Sequence, residues 1–385
     1  MKPRLALVTH YYSSHRGGVE KVAAELARRL TEDQGWAVTW LASDVDALPQ
    51  DLPAGVRLAP VAAWNGTERH LGIPWPVWSL HALPRLWRIV GQSDVVHLHD
   101  ALYFGNACAW MFAWLRAVPV IVTQHIGTIP YRSGVVRSIH ALANRTLGRL
   151  VLSTAERVVF ISPAVRDEFS RFCHFRHTPA YLPNGVDTSV FNPLGPVADD
   201  LAIAQARRQG RRVFLFVGRF VEKKGLPVLR ELVAASSDDL WLFAGHGEHD
   251  PDSWGLPNAH VVRGKSGVDL APYYRAADLL VLPSVGEGFP LVVQEAMACG
   301  TPALVGEETA AGCPDARPLL FVEKVGAGDT ATRWIRQLIE LRAQPERLSE
   351  RRTHVAEFAR EHWSWQTTAA AYGELLDSIL AASKR

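Results

Sequence analysis

The chain has 385 residues, 48% of them hydrophobic, which exceeds one ordinary core and fits two domains. Lysine and arginine total 41 against 39 acidic residues, so the net charge of +2 excludes a general attraction to nucleic acid. Residues 1–190 contain 19 basic and 14 acidic residues, so positive surface is expected in the N-terminal half.

Cysteine usage and apolar runs exclude several classes of protein. The chain has four widely spaced cysteines without a C-x-x-C pair, namely Cys108, Cys173, Cys299 and Cys313. Neither a disulfide framework nor a metal site is expected. The apolar run at 5–8 is too short for a signal peptide, and the stretch 107–122 is interrupted by Arg116 and Pro119. We therefore expect a cytoplasmic protein without a membrane span.

Short β-branched runs recur along the chain, and each is followed by a segment with helical spacing. In the first half they lie at 5–9, 37–42, 56–61, 95–98, 120–123 and 158–162. In the second half they lie at 213–217, 240–244, 260–262, 279–282, 302–305 and 319–322. This alternation predicts an α/β fold with two doubly wound, Rossmann-like parallel sheets.

The domain boundary is expected in the stretch 183–196, which is rich in Pro, Asn, Asp and Gly. We predict a first domain over 1–185 and a second domain over 186–365. Apolar residues at helical spacing over 367–383 predict a final helix, so residues 366–385 are assigned to the first domain.

The first strand-to-helix loop contains the pair Gly17-Gly18 before Glu20. Adjacent glycines allow a ligand to approach the backbone at a helix N-terminus, although a tight turn needed only for packing is equally consistent. The loop has neither a dinucleotide fingerprint nor a P-loop, which argues against a dinucleotide or ATP site.

Several histidines stand at predicted strand ends. We expect His97 and His99, which precedes Asp100, to be structural, as isolated histidines usually are. His125 differs because Gly127 follows it closely at the carboxyl edge of the sheet, so His125 is a candidate to contact a sugar.

The second domain opens with a strand that leads into a basic loop. Arg219 and Lys224 lie between Gly218 and Gly225 and can both reach a pair of phosphates. A basic surface turn is the ordinary alternative. The position of this loop at the carboxyl edge of a sheet favours the phosphate-binding interpretation.

A second loop at that edge follows the strand at 279–282. It holds Glu287, and Pro290 is expected in the first helical turn, with Glu295 further along the helix. The helix N-terminus offers free N–H groups to a diphosphate. Both carboxylates can bind vicinal hydroxyls of a sugar and a ribose, while exposure to solvent is the alternative for Glu295.

Together these segments resemble the retaining family 4 glycosyltransferases of the GT-B fold, also called glycosyltransferase group 1. The resemblance covers nearly the whole chain and is carried by Gly17-Gly18-Val-Glu20, Asp94 to His99, His125-Ile-Gly127, Pro183 to Asp187, Gly218-Arg219 with Lys224-Gly225, and Glu287 with Glu295. It implies two domains facing a cleft, with the acceptor on the first, the nucleotide-sugar donor on the second, and the last helix crossing back to the first.

The resemblance also implies residue roles. Glu287 would hold hydroxyls of the donor sugar and Glu295 the ribose, with His125 beside the sugar. Arg219 and Lys224 would bind the diphosphate. Backbone amides would assist this binding, namely those of Gly17, Gly18, Gly288, Phe289 and Leu291 around Pro290. The stretch 305–315 departs from the family's usual glycine-rich turn, which leaves the surroundings of the base and ribose open.

The implied reaction retains anomeric configuration, without a protein nucleophile, a cofactor or a metal. The donor would be a UDP-, GDP- or ADP-sugar, and the acceptor a glycan, a lipid-linked sugar or a small molecule. Loss of transfer on chelation, restored by Mg²⁺ or Mn²⁺, would contradict the metal-independent mechanism.

Tryptophans and arginines are concentrated in the N-terminal half. Four arginines and no acidic residue occur over 131–155, and six tryptophans occur over 64–114. This composition suits a peripheral attachment to an anionic membrane, at the inner face of the cell membrane, and a lipid-linked acceptor. Burial of the tryptophans in a core is the alternative, and the sequence slightly favours it.

Three alternatives remain open. A nucleotide-sugar epimerase shares the fold but needs an acid/base pair at the sugar, which no segment supplies. A glycan phosphorylase would need a lysine-bound pyridoxal cofactor, for which there is no signal. A non-catalytic sugar-nucleotide-binding protein would keep Arg219 and Glu295 but would not need Glu287.

Overall fold

The computed structural model describes residues 2–15, 17–71, 73–127, 133–286, 289–326 and 328–383. The chain forms two compact units. The first comprises Met1–Gly185 and Trp365–Arg385, and the second comprises Val186–Ser364.

The first unit is built on a seven-stranded parallel sheet in the order β3-β2-β1-β6-β7-β8-β9. Two further strands, β4 and β5, form an antiparallel pair. The strands are β1 (Arg4–Val8), β2 (Ala37–Ser43), β3 (Val56–Val61), β4 (Ala63–Trp64), β5 (Val77–Trp78), β6 (Val95–His99), β7 (Val120–Gln124), β8 (Arg157–Phe160) and β9 (Ala180–Tyr181).

Helices connect the strands of the first sheet. They are α1 (Gly18–Glu32), α2 (Gly66–Leu71), α3 (Leu83–Gln92), α4 (Phe104–Leu115), α5 (Gly134–Ala143), α6 (Arg149–Thr154) and α7 (Pro163–Ser170). A five-residue π-helical turn, Asn144–Gly148, joins α5 to α6. Strands β6 and β7 are buried along their whole length because helices cover both faces of a parallel sheet.

The second unit contains a six-stranded parallel sheet in the order β12-β11-β10-β13-β14-β15. The strands are β10 (Val213–Val217), β11 (Leu240–Ala244), β12 (Ala259–Val262), β13 (Leu279–Leu282), β14 (Ala303–Gly306) and β15 (Phe321–Glu323). The helices are α8 (Leu201–Arg208), α9 (Leu226–Ala235), α10 (Ala271–Ala276), α11 (Leu291–Ala298), α12 (Glu307–Ala311), α13 (Thr330–Ala343) and α14 (Pro345–Trp363).

Each sheet has a point where the strand order reverses. In the first sheet β1 lies beside β6, and in the second sheet β10 lies beside β13. In doubly wound sheets, ligands bind beyond the carboxyl ends of the strands at this reversal. The predicted fold class of two Rossmann-like domains is confirmed, and the candidate residues follow β1, β7, β10 and β13.

The last helix, α15 (Trp365–Ser383), belongs to the first unit. Its residues Tyr372, Leu376 and Ile379 are buried in the same core as strand β1. The hydroxyl of Tyr372 also hydrogen-bonds Thr123 Oγ1 on β7 at 3.0 Å. Packing of its apolar face therefore holds the C-terminal helix on the first sheet.

The tryptophans over 64–114 are more exposed than the sequence favoured. Burial in a core is correct for Trp78, but it is wrong for four others that have large exposed fractions, namely Trp64, Trp75, Trp87 and Trp114. Trp87 and Trp114 lie on helices α3 and α4, Trp64 lies on the short strand β4, and Trp75 lies outside any element. Residue composition alone does not determine which side of an element faces solvent. No helix in the described part of the chain is long and apolar enough to cross a bilayer.

Candidate functional site

In the second unit, the loop after β10 carries the predicted basic pair. Arg219 is exposed at the end of the strand, and Lys224 ends a short 3₁₀ turn that follows. A Cβ added to Gly218 would lie 3.7 Å from Lys224 Cε, so the lysine side chain packs against this glycine. The loop thus holds two cations at the carboxyl edge of the sheet.

The loop after β13 is joined directly to this basic loop. The amide of Val285 donates to the carbonyl of Lys223 at 3.0 Å. Gly225 has a φ of 80° and lies so close to the Pro283 carbonyl that a Cβ would collide with it. The structure therefore brings together the two loops that the sequence singled out separately.

Helix α11 begins at Leu291, and Pro290 is its N-cap, one residue before the position that the sequence favoured. Phe289 is buried and packs against Trp363 with ring centroids 5.2 Å apart. Because the first N–H groups of a helix have no partner within it, this N-terminus can bind an anion. The predicted residues Glu287 and Gly288 lie outside the described residues.

Glu295 is half-buried on α11 and is not simply exposed to solvent. Its Oε2 accepts a hydrogen bond of 2.8 Å from the hydroxyl of Tyr274 on α10. Burial, together with the negative charge of Glu295, raises the pKa of Tyr274 well above its ordinary value. Sequence reasoning missed Tyr274, which has no motif around it and meets Glu295 only through packing of the two helices.

The stretch after β14, where the sequence departs from the family pattern, contacts the same loop. The amide of Gly286 donates to Glu308 Oε2 at 3.1 Å. Gly306 lies against the carbonyl of Ser284, where an added Cβ would approach to 3.3 Å. An acidic side chain thus supports the loop after β13 in this chain.

In the first unit, the two glycines of the first loop serve different purposes. Gly17 is the N-cap of α1, and a Cβ added there would displace the carboxylate of Glu20. A Cβ added to Gly18 would meet nothing within 4 Å among the described residues. Gly17 thus leaves room for the Glu20 carboxylate, whereas the space beside Gly18 is open to a ligand.

Glu20 forms a buried ion pair beneath this loop. Its Oε1 lies 2.9 Å from His10 Nε2, and both side chains are buried. Burial alone would raise the pKa of Glu20, but the hydrogen bond and charge of His10 hold it below its ordinary value. The His10 ring stacks on Tyr103 with centroids 3.8 Å apart, which links the loops after β1 and β6.

Hydrogen bonds hold both the backbone and the ring of His125 in place. Its amide donates to Asp100 Oδ1 at 2.7 Å, and its Nε2 shares a hydrogen bond of 2.8 Å with His99 Nδ1. Burial, with repulsion from the charge of His10, lowers the pKa of His125 to about 3. The ring is therefore neutral at physiological pH, and among the described residues Nδ1 has no hydrogen-bond partner, so it is available to a ligand.

The other two histidines are buried, as the structural interpretation expected. His97 Nε2 hydrogen-bonds Thr123 Oγ1 at 2.8 Å, and burial lowers its pKa to about 3. His99 is also held neutral by burial, with a pKa well below its ordinary value. However, His99 contacts the ring of His125, so it positions a candidate site residue.

Asp100 is the residue of this cluster that sequence reasoning undervalued. It has a φ of 67°, and its Oδ1 accepts hydrogen bonds from the amides of His125 and Ile126 at 2.7 and 3.2 Å. Its Oδ2 is buried and has no hydrogen-bond partner in the described part of the chain. Burial raises its pKa to about 7, although the two amides oppose this shift.

Within the ranges that the structure describes, no three acidic, histidine or cysteine side chains are grouped so as to hold a metal ion. Arg219 and Lys224 place positive charge at the carboxyl edge of the second sheet.

Two family models match the chain in succession. One, described as Glycosyltransferase Family 4, covers residues 16–190, and the other, described as Glycosyl transferases group 1, covers residues 211–341. The chain belongs to the family 4, group 1 glycosyltransferases. The predicted family membership is therefore confirmed.

Relatives of known name agree with this membership. This glycosyltransferase is 29% identical over 324 residues to a phosphatidyl-myo-inositol mannosyltransferase of Mycolicibacterium smegmatis, covering 79% of this chain and 76% of the relative. It is 27% identical over 408 residues to a D-inositol 3-phosphate glycosyltransferase of Streptomyces scabiei, covering 96% and 88%.

Solved structures confirm the GT-B fold. Sucrose-phosphate synthase of Thermosynechococcus elongatus superposes with a TM-score of 0.74 at 21% identity, covering 99% of this chain and 100% of that chain. HepE of Anabaena, in complex with UDP and glucose, superposes with a TM-score of 0.69 at 13% identity, covering 98% and 100%.

The raised pKa of Asp100 predicts a specific dependence of stability on pH. Between the ordinary value of 3.8 and the folded value of about 7, the folded chain keeps a proton that the unfolded chain releases. Asp100 therefore stabilises the fold at low pH, and this contribution is lost as pH rises through about 7. Asp100→Asn removes it.

We expect the unfolding free energy of the wild type, relative to Asp100→Asn, to be larger at about pH 5 than at about pH 8 by on the order of 2 kcal/mol. Urea unfolding at both pH values measures this difference. The exposed Asp377→Asn variant is the control. If the unfolding free energies of the wild type and Asp100→Asn changed equally between the two pH values, the raised pKa of Asp100 would be contradicted.

Proposed function

We propose that this glycosyltransferase moves a hexose from a nucleotide-sugar to an acceptor hydroxyl with retention of anomeric configuration. The observation that carries the proposal is the junction of two loops in the second unit, through Gly225 against Pro283 and the hydrogen bond from Val285 to Lys223. It gathers two cations and a helix N-terminus at one sheet edge.

This combination suits a nucleoside diphosphate. Arg219 and Lys224 neutralise the phosphates, and the N–H groups at the start of α11 bind them directly. Glu295, oriented by Tyr274, accepts hydrogen bonds from the ribose hydroxyls. Glu287 keeps its predicted role of holding the hydroxyls of the donor sugar, and His125 contacts that sugar through Nδ1.

The proposed mechanism needs no protein nucleophile. The bond from the anomeric carbon to the phosphate oxygen breaks, and the bond to the acceptor oxygen forms on the same face. The departing phosphate takes the proton of the acceptor hydroxyl. Arg219, Lys224 and the start of α11 stabilise the negative charge that collects on the phosphate, so electrostatic preorganisation carries most of the rate acceleration.

Because these groups supply the positive charge, we propose that transfer is independent of metal ions. The epimerase alternative receives little support from the described residues around the proposed donor site. Tyr274 has a pKa raised well above its ordinary value, which makes it a poor base. Conversion of the donor without release of nucleotide would favour an epimerase. Binding without turnover would favour a non-catalytic protein.

The donor site is tested with Arg219→Ala and Lys224→Ala. We expect one nucleotide among UDP-, GDP- and ADP-sugars to raise the melting temperature of the wild type and to be slowly hydrolysed in EDTA. Each variant should bind it more weakly by about 1.5–3 kcal/mol, or about 10–100-fold, because one charged hydrogen-bond donor is lost.

The exposed Arg230→Ala is the charge-matched control and should bind like the wild type. Equal affinity of the wild type and all three variants for the sugar nucleotide would contradict the assigned diphosphate site. If hydrolysis of the donor required added Mg²⁺ or Mn²⁺, the metal-independent mechanism would be wrong. If no sugar nucleotide stabilises the folded wild type, the transferase assignment itself loses its support.

We further propose that the protein works at an anionic membrane surface. On α5, α6 and the π-helical turn between them, exposed apolar side chains stand among exposed arginines, and we call this the basic-apolar surface. It consists of Val135, Ile139, Leu142 and Leu150 with Arg137, Arg145 and Arg149. Such surfaces bind anionic headgroups and bury apolar side chains among them. The mycobacterial relative carries phosphatidyl-myo-inositol in its name.

We expect the wild type to float with vesicles that contain anionic lipid at low salt, and to be released at high salt. Arg137→Glu with Arg149→Glu should abolish flotation because both charges then oppose the lipid. Arg208→Glu with Arg230→Glu, on the second unit, changes the net charge equally and should leave flotation intact. Loss of flotation in both double variants would indicate only a net-charge effect.

A further inference from the structure

A pocket of about 260 Å³ opens in the first unit beyond the carboxyl ends of β6 and β7. Its walls are mostly apolar. The apolar and aromatic lining residues are Ile73, Pro74, Trp75, Leu102, Tyr103, Ile126, Val136, Ile139 and Ala143. The pocket thus lies at the sheet edge that carries His125 and Asp100, and its lining comes from the first unit alone.

Asp100 is the acidic residue among those that line the pocket in the described part of the chain. The side chain is 3% exposed, and its Oδ1 is used by the amides of His125 and Ile126. Oδ2 is buried without a hydrogen-bond partner among the described residues. A buried carboxylate oxygen left without a partner is costly, so this oxygen points to a ligand that would supply the missing donor.

The backbone holds Asp100 in place without help from a ligand. Its positive φ is an uncommon conformation for a non-glycine residue, and such strain persists only where surrounding contacts enforce it. The Asn106 side-chain amide donates to the carbonyls of His99 and Asp100 at 2.6 and 2.7 Å. The amide of Asp100 donates to the Thr123 carbonyl at 2.8 Å. The free oxygen is therefore preorganised.

The polar atoms in the walls are largely committed to the protein. Trp75 Nε1 donates to the Leu102 carbonyl at 3.0 Å. Gln124 accepts from the amide of Ala101 at 3.2 Å and donates to the carbonyl of Ile126 at 2.7 Å. A polar sugar in this pocket would leave most of its hydroxyls unpaired, whereas a hydrocarbon segment would not.

We propose that this pocket is an acceptor subsite for an amphipathic molecule, in which a hydrocarbon segment lies in the pocket next to a hydroxyl that donates to Asp100 Oδ2. The proposal rests on the proposed transferase function and narrows its acceptor to a lipid-type molecule. Free polar sugars and inositol phosphates are poor occupants because they lack the hydrocarbon.

The surface around the pocket agrees with such an acceptor. Ile139 lines the pocket and is also 62% exposed, and Val135 and Leu142 on the same helix are exposed. The pocket therefore opens beside the basic-apolar surface. A molecule whose hydrocarbon part lies in a membrane can reach the pocket there without exposing that part to water.

The experiment compares n-octyl glucoside, below its micelle-forming concentration, with methyl glucoside by calorimetric titration of the full chain. We expect the octyl compound to bind more tightly by about tenfold or more, since burial of two methylene groups supplies that factor. Ala143→Trp fills the pocket and should remove this preference. Ala141→Trp, on the same helix but lining a different cavity, should retain it.

Further variants test the proposal even if Ala143→Trp does not fold. Ile139→Arg places a cation at the exposed rim and should also remove the preference, whereas Leu142→Arg should not. At about pH 8, where Asp100 is ionised, Asp100→Ala should weaken the binding of both glucosides by about tenfold, because each loses the same hydrogen bond to a charged group. Equal affinity for both glucosides in the wild type, or an unchanged preference in both pocket variants, would overturn the proposal.

Nucleotide-sugar binding is measured in the same samples. If the donor stabilises the protein but the octyl preference is absent, the acceptor proposal fails and the transferase proposal stands. If no donor binds, the proposed function fails first.

Discussion

The candidate donor site depends on one close backbone contact. Gly225 lies against the carbonyl of Pro283, where no side chain could fit, and the amide of Val285 binds the adjacent carbonyl of Lys223. These contacts join the loops that follow β10 and β13, the neighbouring strands at which the order of the second sheet reverses. The cations of one loop and the helix N-terminus of the other then act on the same anion.

In the first unit, too, two loops are joined where the strand order reverses, but their side chains are different. Its sheet reverses between β1 and β6, and the stacked rings of His10 and Tyr103 link the two loops there. Its titratable side chains are buried. Burial keeps His125 neutral, with a pKa of about 3, and raises the pKa of Asp100 to about 7. Neutral donors and acceptors suit hydroxyl groups, whereas the cations of the second unit suit phosphates.

Much of the fold could be predicted from the sequence because short β-branched runs, each followed by helical spacing, indicate parallel sheets locally. The strand at 213–217, for example, was located at its true ends. The basic pair Arg219 and Lys224 could be found because glycines frame it. Tyr274 and the unpaired oxygen of Asp100 could not, since one depends on packing between helices and the other on the bonding of a single atom. The exposed tryptophans were misjudged because composition does not determine which face of a helix is covered.

The most direct test of the central claim is the configuration of the sugar that leaves the donor. An α-linked sugar nucleotide is mixed with stoichiometric enzyme in EDTA, and proton NMR follows the anomeric signal of the sugar transferred to water before it mutarotates. A retaining transfer releases the α-anomer first, together with free nucleoside diphosphate. The β-anomer appearing first, or a change in the donor sugar without nucleotide release, would contradict it.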